Sequence, residues 1–299
     1  MDFNEDGNLD IALASDFLTN ELWLSNGDGS FYNHADRANV TDVENAMGSV
    51  IADFDGDGHL DWFITSIHEP RPEFKNHWGT SGNRLYLNNG EASFTDVSEA
   101  WHVRETGWAW GAEAVDLDHD TDLDLVVTNG RATHAGNEYL FEAFAEDPTT
   151  VYLKDQGRFW DVTPQVGVND TGQGRAVIAF DMESDGDQDI LVVNWGEPPL
   201  LYRNDTPNVG HWLRVRVRRP GANGFGVGTV IWVTPTAGGP RYLATIDANS
   251  TFAGSGPIEA HFGLGRHEGT LHEVRAVYPE GTVQVLNNVE MDQLLTLMP

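Results

Sequence analysis

A nine-residue pattern of acidic side chains recurs in the sequence and offers the ligands of a site for one hard cation. Its clearest copy runs from Asp53 to Asp61, with aspartates at positions 1, 3, 5 and 9 and glycine at position 6. Ca²⁺ accepts about six to eight oxygens, which alternating carboxylates and one backbone carbonyl near position 7 can supply. The glycine permits a sharp turn in which a Cβ would clash. This stretch therefore predicts a calcium loop.

Four copies of the pattern are present, and we number them loop 1 (2–10), loop 2 (53–61), loop 3 (116–124) and loop 4 (181–189). Their starts recur at roughly 50–65 residues, the period of propeller and solenoid repeats. Thr121 takes the glycine position of loop 3, which makes that copy the degenerate one. The copies predict three to four calcium ions held at positions 1, 3, 5, 7 and 9, namely by Asp2, Asn4, Asp6, Asn8 and Asp10; Asp53, Asp55, Asp57, His59 and Asp61; Asp116, Asp118, Asp120, Asp122 and Asp124; and Asp181, Glu183, Asp185, Asp187 and Asp189.

Two other structures compete for the same pattern. An EF-hand loop needs a bidentate glutamate at position 12 and a helix on either side. Position 12 is instead apolar in all four copies, as Leu13, Ile64, Val127 and Val192. A plain Asp-Gly hairpin turn needs only one or two acids and leaves the other carboxylates unexplained. Both alternatives fit the sequence less well than a calcium loop between strands.

The segments around the loops predict four-stranded antiparallel units. In the second repeat, short runs rich in β-branched and aromatic residues fall at about 47–53, 60–67, 83–88 and 94–98, and the third repeat echoes them. Such units at this period are the blades of a β-propeller. The first repeat lacks its opening strand and the fourth its last. We therefore expect an open arc, a small or pair-assembled ring, or part of a larger propeller, with open edges that invite self-association.

The pattern changes near residue 209, which predicts a second domain. Residues 211–218 alternate between apolar and basic side chains, and six further short strands follow, separated by Gly, Pro and Asn turns. This spacing is typical of a compact sandwich or barrel. The predicted fold class is all-β, with propeller blades over residues 1–208 and a small β domain over residues 209–299.

Composition restricts the partners of the chain. Its 299 residues carry a formal charge of −30 and contain no cysteine. A nucleic acid or an anionic membrane would need a basic patch, so we expect neither nucleic-acid binding nor membrane insertion. The calcium loops favour an extracellular, periplasmic or cell-surface location, although neither a signal peptide nor a transmembrane run is visible. Because Met1 directly precedes the first ligand, the sequence is predicted to be truncated at its N-terminus.

A ligand surface is predicted on the face opposite the calcium loops, because antiparallel neighbours reverse direction. It is formed by the connections 68–83, 104–110 and 130–150, and long loops on a rigid scaffold often carry binding sites. Aromatic faces flanked by hydrogen-bond donors suit glycans or protein side chains. The candidate residues are His68, Arg71, His77, Trp78, Trp108, Trp110 and His134. The alternative is that Trp108 and Trp110 simply pack between blades.

An enzyme acting on a polysaccharide or natural product through the same face is the alternative function. A glycosidase needs two carboxylates about 5–10 Å apart, one of them with a raised pKa. Candidates by location are Glu69, Glu73, Glu113 and Glu142, but nothing in the sequence pairs them. The Gly-x-Ser-x-Gly and His-Glu-x-x-His motifs are both missing from the sequence. A binding module is therefore favoured.

Motifs that accompany the loops carry a family resemblance. Loops followed by Leu-Tyr-x-Asn and Phe-x-Asp-Val elements, as in 85–88 and 94–97, resemble FG-GAP or VCBS repeats, the calcium-bearing blades also found in integrin α-subunit heads. The tail, with Gly224-Phe225-Gly226 and His261-Phe262-Gly263-Leu264-Gly265, resembles the ASPIC/UnbV domain. The pair in this order is similar to the cartilage acidic protein family. This resemblance implies secretion and calcium-dependent folding or adhesion, and it implies no known reaction.

Overall fold

The protein is all-β, as predicted. The computed structural model describes residues 1–69, 71, 79–131, 144–207, 210–248 and 251–299. Within these ranges the chain forms twenty-one strands and two one-turn helices, α1 (Ala35–Ala38) and α2 (Thr163–Val166). Neither of these helices is long or apolar enough to cross a membrane.

Four antiparallel sheets follow one another along the N-terminal part of the chain, and each is a simple meander. The first contains β1 (Ile11–Leu13), β2 (Glu21–Ser25) and β3 (Phe31–Asn33); the second β4 (Ser49–Ala52), β5 (Asp61–Ile64), β6 (Arg84–Asn88) and β7 (Phe94–Asp96); the third β8 (Ala109–Val115), β9 (Asp124–Asn129), β10 (Thr150–Asp155) and β11 (Arg158–Asp161); and the fourth β12 (Gly174–Phe180), β13 (Asp189–Asn194) and β14 (Leu200–Tyr202). Loop 1 leads into β1, and loops 2, 3 and 4 each connect the first two strands of a sheet. Within the described residues, the first sheet thus has no strand before loop 1 and the fourth has none after β14, as predicted.

The sheets pack face to face, which explains why their central strands are apolar on both sides. In β5, Trp62 joins the core shared with the first sheet, while the next residue, Phe63, joins the core shared with the third. In β9, Leu125 faces the second sheet and Val126 faces the fourth. Because successive side chains of a strand point to opposite faces, a strand buried on both sides reads as a continuous apolar run.

The C-terminal part forms two sheets around a separate core. Its strands are β15 (Trp212–Val217), β16 (Thr229–Thr234), β17 (Tyr242–Ile246), β18 (Ala260–Gly263), β19 (Leu271–Val277), β20 (Val283–Val289) and β21 (Gln293–Leu297). One sheet has the order β18-β15-β21, with β15 and β21 parallel, and the other has the order β17-β16-β19-β20. Leu213, Val215, Ile231 and Val274 are among the residues of the core between them. The predicted division at residues 208 and 209 falls outside the described residues and stays a prediction.

The C-terminal part also contacts the first strands of the blades. We call residues 251–257, between β17 and β18, the inner segment. The Thr251 hydroxyl donates to the Val177 carbonyl of β12 at 2.7 Å, and the Phe252 ring lies 5.3 Å from the Trp110 ring at the start of β8. A Cβ on Gly254 would lie 3.0 Å from Ala176. The inner segment therefore runs closely along β12.

Candidate calcium loops and aromatic row

Loops 2 and 3 each bring three carboxylates to one point. Oxygens of the side chains at positions 1, 3 and 5 lie within 4.8 Å of one another in both loops. Oδ1 of Asp118, at position 3 of loop 3, is buried without a hydrogen-bond partner. Carboxylates about 4 Å apart repel by roughly 1–4 kcal/mol per pair, depending on the surrounding dielectric. An oxygen-bound divalent cation would reverse this repulsion, so the residues present fit such an ion.

The backbone of each loop is folded around the aspartate at position 1. In loop 2, Asp53 accepts hydrogen bonds from the N–H groups of Gly56 at 2.9 Å and Gly58 at 3.0 Å. In loop 3, Asp116 accepts from Asp120 at 3.1 Å and Thr121 at 2.9 Å. Thr121 takes a φ of 87°, the left-handed conformation that glycine adopts in the other loops. The degenerate loop therefore keeps the turn, at the cost of a β-branched residue in a strained region.

The aspartate at position 9 forms a structural brace that the sequence pattern alone did not reveal. In every loop one of its oxygens accepts a hydrogen bond from the N–H at position 2. The other oxygen accepts from an N–H at or just beyond the end of the strand β2, β6, β10 or β14. All eight distances are 2.8–2.9 Å, and the four aspartates are Asp10, Asp61, Asp124 and Asp189. Each oxygen keeps a second lone pair, so the brace is compatible with metal ligation.

The side chain at position 7 of each loop has a polar partner. The pairs are Asn8 with Asp6, His59 with Glu5 of loop 1, Asp122 with Lys154, and Asp187 with His119. A carbonyl ligand at this position, as the sequence predicts, involves only the backbone and does not conflict with these contacts.

Loop 4 differs from loops 2 and 3 because arginines approach its acids. Nη1 of Arg214, a residue of β15, lies 2.5 Å from Oδ2 of Asp181, and both side chains are buried. Arg203 lies 3.5 Å from Glu183. Among the described residues, the acids of loop 4 do not form a three-carboxylate group like those of loops 2 and 3. The protein itself supplies part of the positive charge at this loop.

Burial makes the loop carboxyls weaker acids than usual. Burial, together with the neighbouring carboxylates of the same loop and against the backbone hydrogen bonds, raises the pKa of Asp53 to about 6 and the pKa of Asp116 to about 8. Burial also raises the pKa of the brace residue Asp61 to about 8. Asp116 and Asp61 therefore hold protons at neutral pH in the absence of a cation, so cation binding should release protons.

Three tryptophans and two arginines form a row at the ends of the blade strands opposite loops 3 and 4. Trp108 and Trp110 stack with ring centroids 6.2 Å apart. The Arg175 guanidinium lies 3.9 Å from the Trp110 ring and 5.6 Å from the Trp195 ring, and Arg131 lies 5.6 Å from Trp108. We call these five residues the aromatic row. Cation–π contacts of this kind contribute about 0.5–2 kcal/mol each.

Two members of the aromatic row have features typical of a binding surface. Trp195 is 68% exposed. Arg175 is buried and donates through Nη1 to the carbonyls of Gly130 and Gly174, while its Nη2 has no hydrogen-bond partner. The sequence prediction did not include Arg175 or Trp195. A signal was available for Arg175, because it and Trp110 each precede the first aspartate of their loop by six residues.

Two other predicted ligand-binding residues, His68 and Arg71, each lie beside a glutamate. His68 is partly buried, and its Nε2 lies 3.6 Å from a Glu105 oxygen. Burial lowers the pKa of this imidazole. Arg71 donates through Nε to Glu69 at 2.7 Å. Three further predicted residues, His77, Trp78 and His134, lie outside the described residues.

Two of the carboxylates considered for catalysis, Glu69 and Glu113, lie among the described residues. Glu69 is engaged by Arg71. Glu113 is not on the predicted ligand face, because it lies within β8 and lines a cavity beside the C-terminal part. Glu73 and Glu142 lie outside the described residues. The described residues thus bring no two of these candidates together as a catalytic pair.

Comparison with known families agrees with this architecture. The FG-GAP-like repeat model matches residues 2–64 and 77–127, and the ASPIC and UnbV model matches residues 219–299. This chain is an FG-GAP repeat protein with a C-terminal ASPIC and UnbV region. The sequence-based resemblance is confirmed.

The relatives of this FG-GAP repeat protein include much longer chains. It is 27% identical to Cartilage acidic protein 1 from Homo sapiens, over 97% of this chain and 42% of the relative, and 26% identical to the Mus musculus protein, over 97% and 43%. The chain thus spans less than half the length of these relatives. The solved structure of the V. cholerae biofilm matrix protein Bap1 aligns with a TM-score of 0.33 at 12% identity, over 96% of this chain and 47% of that one. A likeness this remote has no bearing on function.

Proposed function

We propose that this protein is a calcium-stabilised extracellular adhesion module that binds a glycan or an extracellular protein through the aromatic row. The observation that carries the proposal is the opposite placement of two sites on one set of strands. Carboxylate clusters lie at one end of the blades, and a partly exposed row of tryptophans and arginines lies at the other.

In this proposal loops 1, 2 and 3 each hold one calcium ion, and loop 4 binds a fourth ion more weakly. Loops 2 and 3 contribute the two three-carboxylate clusters, and loop 1 offers aspartate and asparagine oxygens at the same positions. Loop 4 is weaker because Arg214 already pairs with Asp181, its first ligand. Calcium loops of this kind saturate where calcium is abundant, which favours a location outside the cell.

Calcium should act on the fold rather than on the ligand directly. The position 9 braces connect each loop to the third strand of its blade, so a filled loop stabilises the sheet to which it belongs. Because the aromatic row lies at the far end of the strands, a calcium ion in a loop is not placed to bridge to a ligand there. The alternative, calcium bridging to the ligand, predicts that chelation abolishes binding while the fold survives.

The aromatic row combines the features that recognise sugars or protein side chains. Tryptophan faces pack on the C–H faces of sugar rings and on apolar side chains, and an arginine with an unpartnered nitrogen offers a directed donor. Self-association through the three-stranded edge sheets stays a prediction. Ile11 and Leu13 are exposed on β1 and provide apolar surface for it.

Binding to arrays of glycans and matrix proteins in calcium buffer tests this function. Trp110→Ala should reduce binding at least tenfold, because it removes the ring between Trp108 and Arg175. Trp160→Ala is the matched control, since Trp160 is also exposed but lies on β11, outside the row. Equal binding by the wild type and Trp110→Ala would contradict the proposed surface. Release of product from a polysaccharide would instead indicate an enzyme.

A further inference from the structure

A cavity of about 330 Å³ lies between the blades and the C-terminal part and is distinct from the aromatic row. Its blade side is formed by the first strands β4, β8 and β12 together with parts of loops 2 and 3, and its other side by β17, β18 and part of the inner segment. Val50, Val115, Ala179 and Tyr242 supply apolar wall. The volume is near the lower end of the range for small-molecule sites, about 300–1,000 Å³.

Three polar side chains that line this cavity have buried atoms without a hydrogen-bond partner. They are Nε2 of Gln188, Oε2 of Glu113 and Nδ1 of His261. Gln188 is only 5% exposed. Buried polar atoms are almost always paired in folded proteins, because an unpaired one costs about 1–3 kcal/mol. Three unpaired atoms around one cavity therefore point to a missing ligand.

The hydrogen-bonding character of these atoms defines the chemistry of that ligand. Nε2 of His261 lies 3.2 Å from the Gly186 carbonyl, which can only accept, so Nε2 carries the proton. Burial lowers the pKa of His261 to about 3, so the ring is neutral and Nδ1 is an acceptor. Glu113 offers another acceptor, and Gln188 offers a donor. A matching ligand carries N–H or O–H donors together with at least one acceptor oxygen.

The charge of the cavity favours a cationic ligand. Carboxyl groups of Glu113, Asp247 and Glu259 line it outside the calcium loops. Acids of loops 2 and 3 line it as well, namely Asp53, Asp55, Asp116 and Asp122. Arg214 donates to Glu259 through Nε at 2.8 Å, whereas Oε2 of Glu113 has no partner. A metal ion fits poorly at Glu113, because the three-ligand groups in the described part of the chain are those of loops 2 and 3. An ammonium group carries several N–H donors and needs only one carboxylate as its partner.

We propose that this cavity binds a small hydroxylated primary amine, such as an amino sugar. Its ammonium group donates to Glu113, which gives up its own proton to solvent when the amine binds. A hydroxyl group donates to Nδ1 of His261, and an oxygen accepts from Nε2 of Gln188. The apolar walls contact the carbon skeleton. Because residues from both the blades and the C-terminal part contribute, the site exists only when the two are docked together.

Matched pairs of small molecules test this site in the full chain with calcium present. Titration calorimetry should detect binding of glucosamine, with at least tenfold weaker binding of glucose, which lacks the ammonium group. Glu113→Gln should weaken glucosamine binding at least tenfold, and Gln188→Ala should weaken it several-fold. Glu290→Gln, at an exposed position outside the cavity, is the control and should bind like the wild type.

Several outcomes would overturn the proposal. They are the failure of glucosamine to bind the wild-type chain, equal binding of glucosamine and glucose, and unchanged binding by a folded Glu113→Gln variant. The glucose comparison uses the wild-type chain and so does not depend on whether the variants fold. Trp110→Ala should leave glucosamine binding unchanged, which separates this site from adhesion through the aromatic row.

Discussion

Loops 2 and 4 share one sequence pattern but neutralise their acids differently. In loop 2 the three carboxylates at positions 1, 3 and 5 converge, and no positive side chain in the described part of the chain is hydrogen-bonded to them. In loop 4 the first aspartate forms a buried ion pair with Arg214 from the C-terminal part. The nine-residue motif thus defines the turn and the brace. Whether its carboxylates remain free for a cation depends on which side chains pack against the loop.

Removal of calcium should lower the stability of the protein more than any of the other changes considered below. If loops 2 and 3 bind calcium and are saturated at about a hundred times Kd, each contributes about 2.7 kcal/mol to the free energy of unfolding. Excess EGTA should then lower the melting temperature by about 10 °C or more. Differential scanning calorimetry measures this change, with calcium-saturated EGTA as the control for added chelator. An unchanged melt in EGTA would show that the clusters have no structural role.

Breaking the ion pair of loop 4 should give the next largest change. Arg214→Gln leaves the buried Asp181 without its partner, which costs about 3–5 kcal/mol in EGTA. Saturating calcium should recover much of this loss, because the ion can then take the place of the guanidinium. Denaturant unfolding with and without calcium measures both values. An equal loss in the two conditions would mean that loop 4 does not bind calcium.

Removing one position 5 ligand from each loop should separate the two kinds of site. Asp57→Ala in loop 2 should remove most of the contribution of that loop, about 2–3 kcal/mol in saturating calcium. The matched variant Asp185→Ala in loop 4 should cost less than about 1 kcal/mol. Both variants should melt like the wild type in EGTA, to within about 0.5 kcal/mol. Equal losses in calcium would contradict the difference between the loops.

The free energy of unfolding should depend on pH through Glu113, a carboxyl group outside the calcium loops. Burial, and then the charge of Asp247, raises the pKa of Glu113 to about 8. Between about pH 4.5 and 8 the folded chain holds a proton that the unfolded chain has lost, so stability falls as the pH rises, by about 1.4 kcal/mol per pH unit. Glu113→Gln should remove this slope in calcium buffer. Parallel stability curves for the two chains would contradict it.

The sequence predicted most of the fold because blades are local structures. Strands such as β5 and β9 are apolar on both faces, lie within a few residues of an acidic loop, and repeat at one period. Loop geometry was predictable for the same reason, even at Thr121, since the position 1 aspartate and its backbone donors are at most five residues apart.

Features that depend on distant segments could not be predicted. The partner of Asp181 is 33 residues away in another sheet. The second brace bond of Asp61 comes from Asn88, 27 residues further along the chain. Trp195 meets Arg175 only because β12 and β13 pair. In each case the residue types were visible, but the contact exists only after sheets have packed.

The inner segment has a mechanical consequence. Thr251 is hydrogen-bonded to β12, and Phe252 packs on Trp110 at the start of β8. A pulling force applied to the C-terminal sheets is therefore transmitted through this segment to the first strands of two blades. If the protein acts as an adhesion module under flow, as proposed, the force would run along its strands. The same force would then act on the aromatic row and on the C-terminal sheets.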